Sequence, residues 1–173
     1  MINEKMFLEI LKSREDRANK QVELLKEYPY SLISFTLNTP GEIKDNELYR
    51  RIHKEGIKAI LETLKMHNLK IIFSDETSKI TGPECYIIVD TNAHDLKRLM
   101  VNIEDEHQLG RIFDIDVFDK NHEQISRSEM GLSSRKCLIC DEDARICMRN
   151  RTHSYEELIR KVEEMASSKK VEL

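Results

Sequence analysis

A chain of 173 residues with 39% hydrophobic content can bury one ordinary core and is short for two full-sized domains. Charged residues make up 35% and the formal net charge is −4, which argues against a general nucleic-acid binder. No apolar run of membrane-spanning length and no signal-like start is present, so a cytoplasmic protein with neither nucleic acid nor membrane as partner is expected.

In chain order, the apolar residues Met6, Phe7, Ile10, Leu11, Val22 and Leu25 recur at helical spacing and predict a long first helix over 3–27. Pro29 ends it, and the β-branched and aromatic run 30–37 reads as a strand. Asn38-Thr39-Pro40-Gly41 is a turn, after which Asp45 can cap a helix to His67 with Leu48, Ile52, Ile60 and Leu64 facing inward. Residues 69–73 and 85–89 are predicted strands that can pair antiparallel through a mobile polar loop containing Gly82-Pro83. Thr91 or Asn92 caps a helix to His107, and 111–118 is a further strand. A turn-rich Cys segment follows, and Ser154-Tyr155-Glu156-Glu157 is a capping box opening a terminal helix whose last residues fray. The order predicts an α+β fold: a mixed sheet with flanking helices, matching a ferredoxin-like βαββαβ core, plus an N-terminal helix and a C-terminal Cys/His segment with a helix.

Within 110–119, strand alternation puts Phe113, Ile115 and Val117 on one face and Asp114 and Asp116 on the other. Same-face neighbours lie roughly 6.5–7 Å apart along a strand, so two carboxylates can converge on one hard cation or bracket a pair of them, Mg²⁺ or Mn²⁺. The competing reading is the solvated face of an amphipathic strand. Asp is disfavoured in strands, yet two are used here, and Gly110-Arg111 just before them can bring backbone donors and a guanidinium near an anion. On the preceding helix, Lys97, Glu104 and His107 lie close to one face, so Glu104 and His107 can supply a third carboxylate or a proton acceptor, or else are ordinary helix-end surface residues. Asp119 fits the start of a turn better than a ligand.

Cys137-x2-Cys140-x6-Cys147-x5-His153 offers three sulfurs and an imidazole over a short span, which suits either a structural zinc site or a set of reduced thiols. Cys85, in an apolar strand, reads as core. Arg135, Lys136, Arg145, Arg149 and Arg151 can grip phosphate oxygens or an acidic protein surface, or simply be solvated. Arg14, Lys44, Arg50 and Arg51 are further phosphate-contact candidates.

The combination of Leu37-Asn38-Thr39-Pro40-Gly41, Gly110-Arg111-Ile112-Phe113-Asp114-Ile115-Asp116-Val117, Ser126-Arg127 and Arg135-Lys136-Cys137-Leu138-Ile139-Cys140 resembles the citrate lyase holo-acyl-carrier-protein synthase family, the apo-citrate lyase phosphoribosyl-dephospho-CoA transferases. The likeness runs from about Leu8 to the terminal helix, through Ala144, Cys147, Arg149, Arg151 and His153. It implies a single transferase domain over 1–173, with 135–153 as a basic Cys/His-rich segment within it. The implied reaction moves the 2'-(5''-phosphoribosyl)-3'-dephospho-CoA group from its triphosphate precursor, triphosphoribosyl-dephospho-CoA, to a serine of the citrate lyase acyl carrier protein (gamma) subunit, releasing pyrophosphate. In reaction type the family is similar to malonate decarboxylase holo-acyl-carrier-protein synthases, which look like nucleotidyltransferases with paired aspartates. Gly110-Arg111 stands nearer the aspartates than the usual nucleotidyltransferase glycine-serine pair, and Asn121 or His122 replaces a turn glycine after the aspartate strand.

The resulting site comprises Asp114 and Asp116 as metal ligands, Glu104, His107 or Asp116 as proton acceptor, and Gly110, Arg111, Arg127, Arg149, Arg151, Lys44 and Arg14 as donor contacts. Arg111 ranks first among the phosphate contacts, although alternation points it away from Asp114 unless Gly110 bends the backbone. Rival functions are a non-enzymatic zinc-knuckle adaptor for an acidic protein or RNA, and a metal-dependent nucleotidyltransferase with another donor.

Overall fold

The computed structural model describes residues 4–168; the start of the first helix at Asn3 and the fraying expected beyond 168 lie outside them. Helices α1 (Glu4–Glu27), α2 (Glu47–Met66), α3 (Ala93–Glu106), α4 (Ala144–Asn150) and α5 (Tyr155–Ser168) surround a sheet of β1 (Ser31–Leu37), β2 (Lys70–Lys79), β3 (Gly82–Asp90) and β4 (Phe113–Phe118). The spatial order is β2-β3-β1-β4, with every neighbouring pair antiparallel. The strands joined by helical crossovers, β1 to β2 and β3 to β4, run parallel but are separated by an antiparallel strand, so the sheet has the interleaved split-βαβ arrangement.

Both faces of the sheet are covered, which is why β1 and β3 are buried almost without interruption. On one face Ile33, Phe35, Ile87, Val89, Phe113, Ile115 and Val117 pack with Ile52, Ile60 and Leu64 of α2, Leu96, Met100 and Ile103 of α3, and Val162 and Ala166 of α5. On the other, Leu32, Tyr86 and Ile88 meet Leu24 and Leu25 of α1. The apolar contact of α1 is concentrated in this C-terminal half: Phe7 and Leu11, read from the sequence as part of its stripe, are 50% and 44% exposed.

Several local readings change. Asn46, not Asp45, caps α2, its Oδ1 accepting from Tyr49 N–H at 2.8 Å, because Asp45 is engaged by Arg50. The polar stretch expected as a mobile loop is strand: Ser74 to Lys79 pair residue by residue with Gly82 to Ile87, leaving a two-residue turn. Pairing along a sheet edge tolerates polar side chains that half face water, so tertiary context overrides propensity here. Residues 110–112 form a short 3-10 turn before β4 instead of extending it. A Cβ on Gly110 would stand 2.3 Å from the Glu104 carbonyl oxygen, so this close approach to the end of α3 admits only glycine. The turn-rich Cys segment contains α4, capped by Asp143. The capping box of α5 is present in full: Glu157 N–H donates to Ser154 Oγ at 3.2 Å and Ser154 N–H to Glu157 Oε2 at 2.7 Å. His122 takes a positive φ of 70°, filling the turn position where glycine is missing. No helix among the described residues is long and apolar enough to cross a membrane.

Candidate active site

Because β4 alternates, Asp114 and Asp116 project from the α1 side of the sheet, opposite Thr36 and Ser34 of β1. Asp114 accepts from Arg135 Nη2 at 3.0 Å on Oδ1 and from Thr36 Oγ1 at 3.5 Å on Oδ2. Asp116 accepts from Gln124 Nε2 at 2.8 Å. Burial, and then the neighbouring Asp114 charge, push the Asp116 carboxyl up to about 6. The two carboxylates share one face of β4 and are the residues there that could hold a hard divalent cation, whose charge would offset their burial and mutual repulsion.

Asp114 also lines a cavity of about 180 Å³ between α1, the end of β1 with the segment that follows it, and the β2–β3 turn. Ile10, Ser13, Arg14 and Arg17 form its helical wall, Thr36 to Thr39 its floor, and Lys44 and Thr81 to Pro83 its far side. Positions 10, 14 and 17 follow helical spacing and therefore share one face of α1. Lys44 donates to the Thr39 carbonyl. Burial, and then the Arg14 charge, lowers its pKa. The helical wall is tied to the sheet by Glu84, which is 1% exposed. Glu84 accepts from Arg17 Nη2 at 3.0 Å, from Lys79 Nζ at 3.1 Å and from Tyr86 Oη at 2.8 Å. Burial alone would raise the Glu84 pKa, but these donors outweigh it and hold it below the usual value.

The remaining candidates fall into other settings. Glu104 is 3% exposed and lies behind β4: Oε1 accepts from Ile115 N–H at 2.9 Å and Arg135 at 2.8 Å, and Oε2 from Arg127 at 2.6 Å. Lys97 Nζ donates to the Ile115 carbonyl at 2.8 Å, so two α3 side chains satisfy the outer edge of β4. Arg127 also pairs with Asp105 at 3.0 Å. His107 packs on Phe113 with ring centroids 5.0 Å apart, on the sheet face opposite the aspartates, and its Nδ1 accepts from Leu109 N–H at 3.0 Å. Arg111, in the 3-10 turn before β4, donates to the Cys137 carbonyl at 3.0 Å and pairs with Asp141 at 3.1 Å, turned toward the Cys segment. Arg149 and Arg151 are exposed at the end of α4.

The four ligand atoms of Cys137, Cys140, Cys147 and His153 lie within 4.8 Å of one another, so the segment forms a cluster able to hold a metal ion. Cys140 Sγ is 3.5 Å from Cys147 Sγ and 3.4 Å from His153 Nε2. Burial would raise the Cys137 thiol, but the backbone N–H groups of Cys140 and Ile139, aimed at its sulfur, outweigh this and leave it lowered. Cys85 is buried in the core, where burial pushes its thiol up to about 12.

Sequence reasoning missed Glu84 and gave Arg17 no role; a carboxylate directly before the run Cys85 to Val89 was the available signal. Asn38 and Thr39 belong to a motif singled out for its resemblance, and both line the cavity.

The family model for apo-citrate lyase phosphoribosyl-dephospho-CoA transferase matches residues 6–169. A relative from Vibrio cholerae serotype O1 (strain M66-2), named a probable apo-citrate lyase phosphoribosyl-dephospho-CoA transferase, is 39% identical over 158 residues, covering 91% of this chain and 89% of its own. Relatives from Citrobacter koseri and Escherichia coli O157:H7, named apo-citrate lyase phosphoribosyl-dephospho-CoA transferases, are each 36% identical over 155 residues, covering 90% of this chain and 85% of theirs. With a match that takes in the cavity, the aspartate strand and the Cys/His cluster alike, this chain belongs to the apo-citrate lyase phosphoribosyl-dephospho-CoA transferase family.

Proposed function

We propose that this protein transfers the phosphoribosyl-dephospho-CoA group to apo-citrate lyase, and that the reacting phosphates lie in the cavity between α1 and Asp114. The observation that carries the placement is the meeting of Arg14 and Lys44 with Asp114 around one concave surface: cations for the phosphate oxygens on one side, a carboxylate on the other. The donor is triphosphoribosyl-dephospho-CoA and the acceptor a serine of the acyl carrier subunit. The serine oxygen bonds to the α-phosphorus, the bond to pyrophosphate breaks in line, and the hydroxyl proton leaves to a base. Of the three groups suited to take that proton, Asp116 alone shares the face of Asp114, whereas Glu104 is occupied by two arginines and His107 sits across the sheet.

Asp114 and Asp116 would hold Mg²⁺ or Mn²⁺, which when bound supplies positive charge to the phosphate oxygens. Arg14 and Lys44 orient the phosphates and Arg17, braced by Glu84, holds the helical wall in place. Arg127 and Arg111 serve the architecture behind the site instead of contacting the donor, because their guanidinium groups are taken up by Glu104 and Asp105 and by the Cys segment. The Cys/His cluster holds structural zinc: three sulfurs and one imidazole, with backbone donors on Cys137, are the donor set of a closed tetrahedral site. A zinc-knuckle adaptor gives no account of a paired-carboxylate face beside a cationic cavity. The test is incubation of the protein and Mg²⁺ with the triphosphate donor and apo-citrate lyase, followed by intact-mass measurement. Addition of the phosphoribosyl-dephospho-CoA mass to the acyl carrier subunit alone supports the reading, and an unmodified carrier with an active reference transferase alongside would reject it.

A further inference from the structure

The Cys/His cluster and the aspartate face are connected through Arg135. Its Nη2 donates to Glu104 Oε1 at 2.8 Å and to Asp114 Oδ1 at 3.0 Å, and it is the ion-pair partner of Asp114 among the described residues. The other hold on that carboxylate is the long Thr36 contact of 3.5 Å. Arg135 stands two residues before Cys137, and its backbone is closed into the loop that carries the first two sulfurs. Ala144 N–H donates to the Arg135 carbonyl at 2.9 Å, Lys136 and Asp143 form an antiparallel bridge, and Cys137 N–H donates to Glu142 at 2.8 Å. Cys147 on α4 and His153 before α5 complete the cluster, so a bound ion would cross-link this loop to both helices. From the other side Arg111 clips the loop to the start of β4 through the Cys137 carbonyl at 3.0 Å.

We propose that the metal-loaded Cys137/Cys140/Cys147/His153 cluster acts on the transfer site, with Arg135 as the positioning residue through which it sets the orientation of the Asp114 carboxylate. This rests on the reading that Asp114 and Asp116 hold the divalent cation of the reaction. With the loop fixed, Arg135 holds Oδ1 of Asp114 against Glu104 and leaves Oδ2 as its second oxygen. Without the ion, the loop loses its cross-link and the guanidinium its fixed origin. Because a guanidinium bound to Asp114 also repels an incoming cation, its release has two opposite consequences: tighter cation binding and slower transfer. A generally loosened fold would weaken both together.

The experiment uses the zinc-loaded full chain, Arg135→Gln, Cys140→Ser and the double variant. Bound zinc is measured by elemental analysis, Mn²⁺ affinity by electron paramagnetic resonance without donor, and transfer by steady-state kinetics. Cys140→Ser is expected to lose zinc. Each single variant should bind Mn²⁺ about threefold to tenfold more tightly while kcat falls at least about tenfold, and the double variant should match the singles instead of multiplying their effects. Arg135→Lys should recover part of kcat. If Cys140→Ser fails to fold, His153→Asn and reversible zinc stripping of the wild type by chelation provide the same comparison. Unchanged Mn²⁺ affinity on zinc loss, weaker Mn²⁺ binding in either single variant, or multiplicative effects in the double would overturn the proposal. Failure of the wild type to bind Mn²⁺, or Mn²⁺ binding that survives Asp114→Asn intact, would instead remove the cation reading beneath it.

Discussion

Replacing Glu104 by Gln tests whether this residue is the buried anchor behind β4 that the geometry describes. The carboxylate is 3% exposed and receives Ile115 N–H, Arg127 and Arg135. Removing the charge from a buried pair costs roughly 3–5 kcal/mol, because the partner stays buried without its counter-ion. Here the loss is softened: Arg127 keeps Asp105 at 3.0 Å, Arg135 keeps Asp114 at 3.0 Å, and the Gln amide oxygen can still accept from Ile115. The cost therefore falls to the bottom of that range or just below it, about 2–3 kcal/mol. For a chain of this size that corresponds to a fall in Tm of about 4–12 °C. Glu104→Leu, which also strands the buried Ile115 N–H, should cost a further 1–3 kcal/mol or so. Urea titrations at pH 7, compared at constant m, measure both. A loss under about 0.5 kcal/mol for Glu104→Gln would refute the anchor role and return Glu104 to the list of groups free to act in chemistry.

The other perturbations have equally definite signs. His53 is fully buried, stacked on Phe35 at 4.5 Å, and burial lowers its pKa from 6.5 to about 4. The unfolded chain therefore takes up a proton below about pH 6.5 that the folded chain refuses until about pH 4, so this contribution is complete above pH 6.5 and is lost as pH falls toward 4, at about 1.4 kcal/mol per unit. His53→Gln should flatten the stability profile across that window, and an unchanged slope would be contradictory. Gly110→Ala should destabilise by at least about 1–3 kcal/mol because its Cβ meets the Ile103 and Glu104 carbonyl oxygens at 2.6 Å and 2.3 Å; a neutral effect by denaturation would show that the approach relaxes. Arg111→Lys should speed zinc release to a chromogenic chelator and leave donor affinity within about twofold, since a lysine cannot span the Cys137 carbonyl and Asp141 together; weakened donor binding with normal zinc retention would put Arg111 back among the donor contacts.

The period-2 pattern of 113–118 placed Phe113, Ile115 and Val117 inward and the two aspartates together outward, and the structure keeps that division because both facts follow from one strand geometry. The element order likewise carried the split-βαβ core, since the apolar stripe marked α2 and the Asn92 cap marked α3, although the cap of α2 lies one residue from the expected Asp45. Helical spacing correctly grouped Lys97 and Glu104, yet it could not tell which side of β4 they approach; they meet its outer edge, where unpaired backbone groups need partners. His107 follows the same helix but ends on Phe113 across the sheet, a relation fixed by helix placement and not by spacing. The cavity was the least legible part: it joins Ile10, Thr36, Lys44, Thr81 and Asp114, residues from five separate stretches whose convergence depends on how α1 crosses the sheet. Arg135 was visible as one of several basic residues, but its reach to Asp114 depends on the folded Cys loop.

The most direct test of the account compares transfer to apo-citrate lyase by wild type and Asp114→Asn, each first shown by denaturation to be equally folded. Loss of the ligand charge at nearly constant volume should lower the rate of mass addition to the acyl carrier subunit by at least about 100-fold with folding intact. A folded Asp114→Asn protein that modifies the carrier at a near-normal rate would contradict the assignment of the reaction to this face of β4.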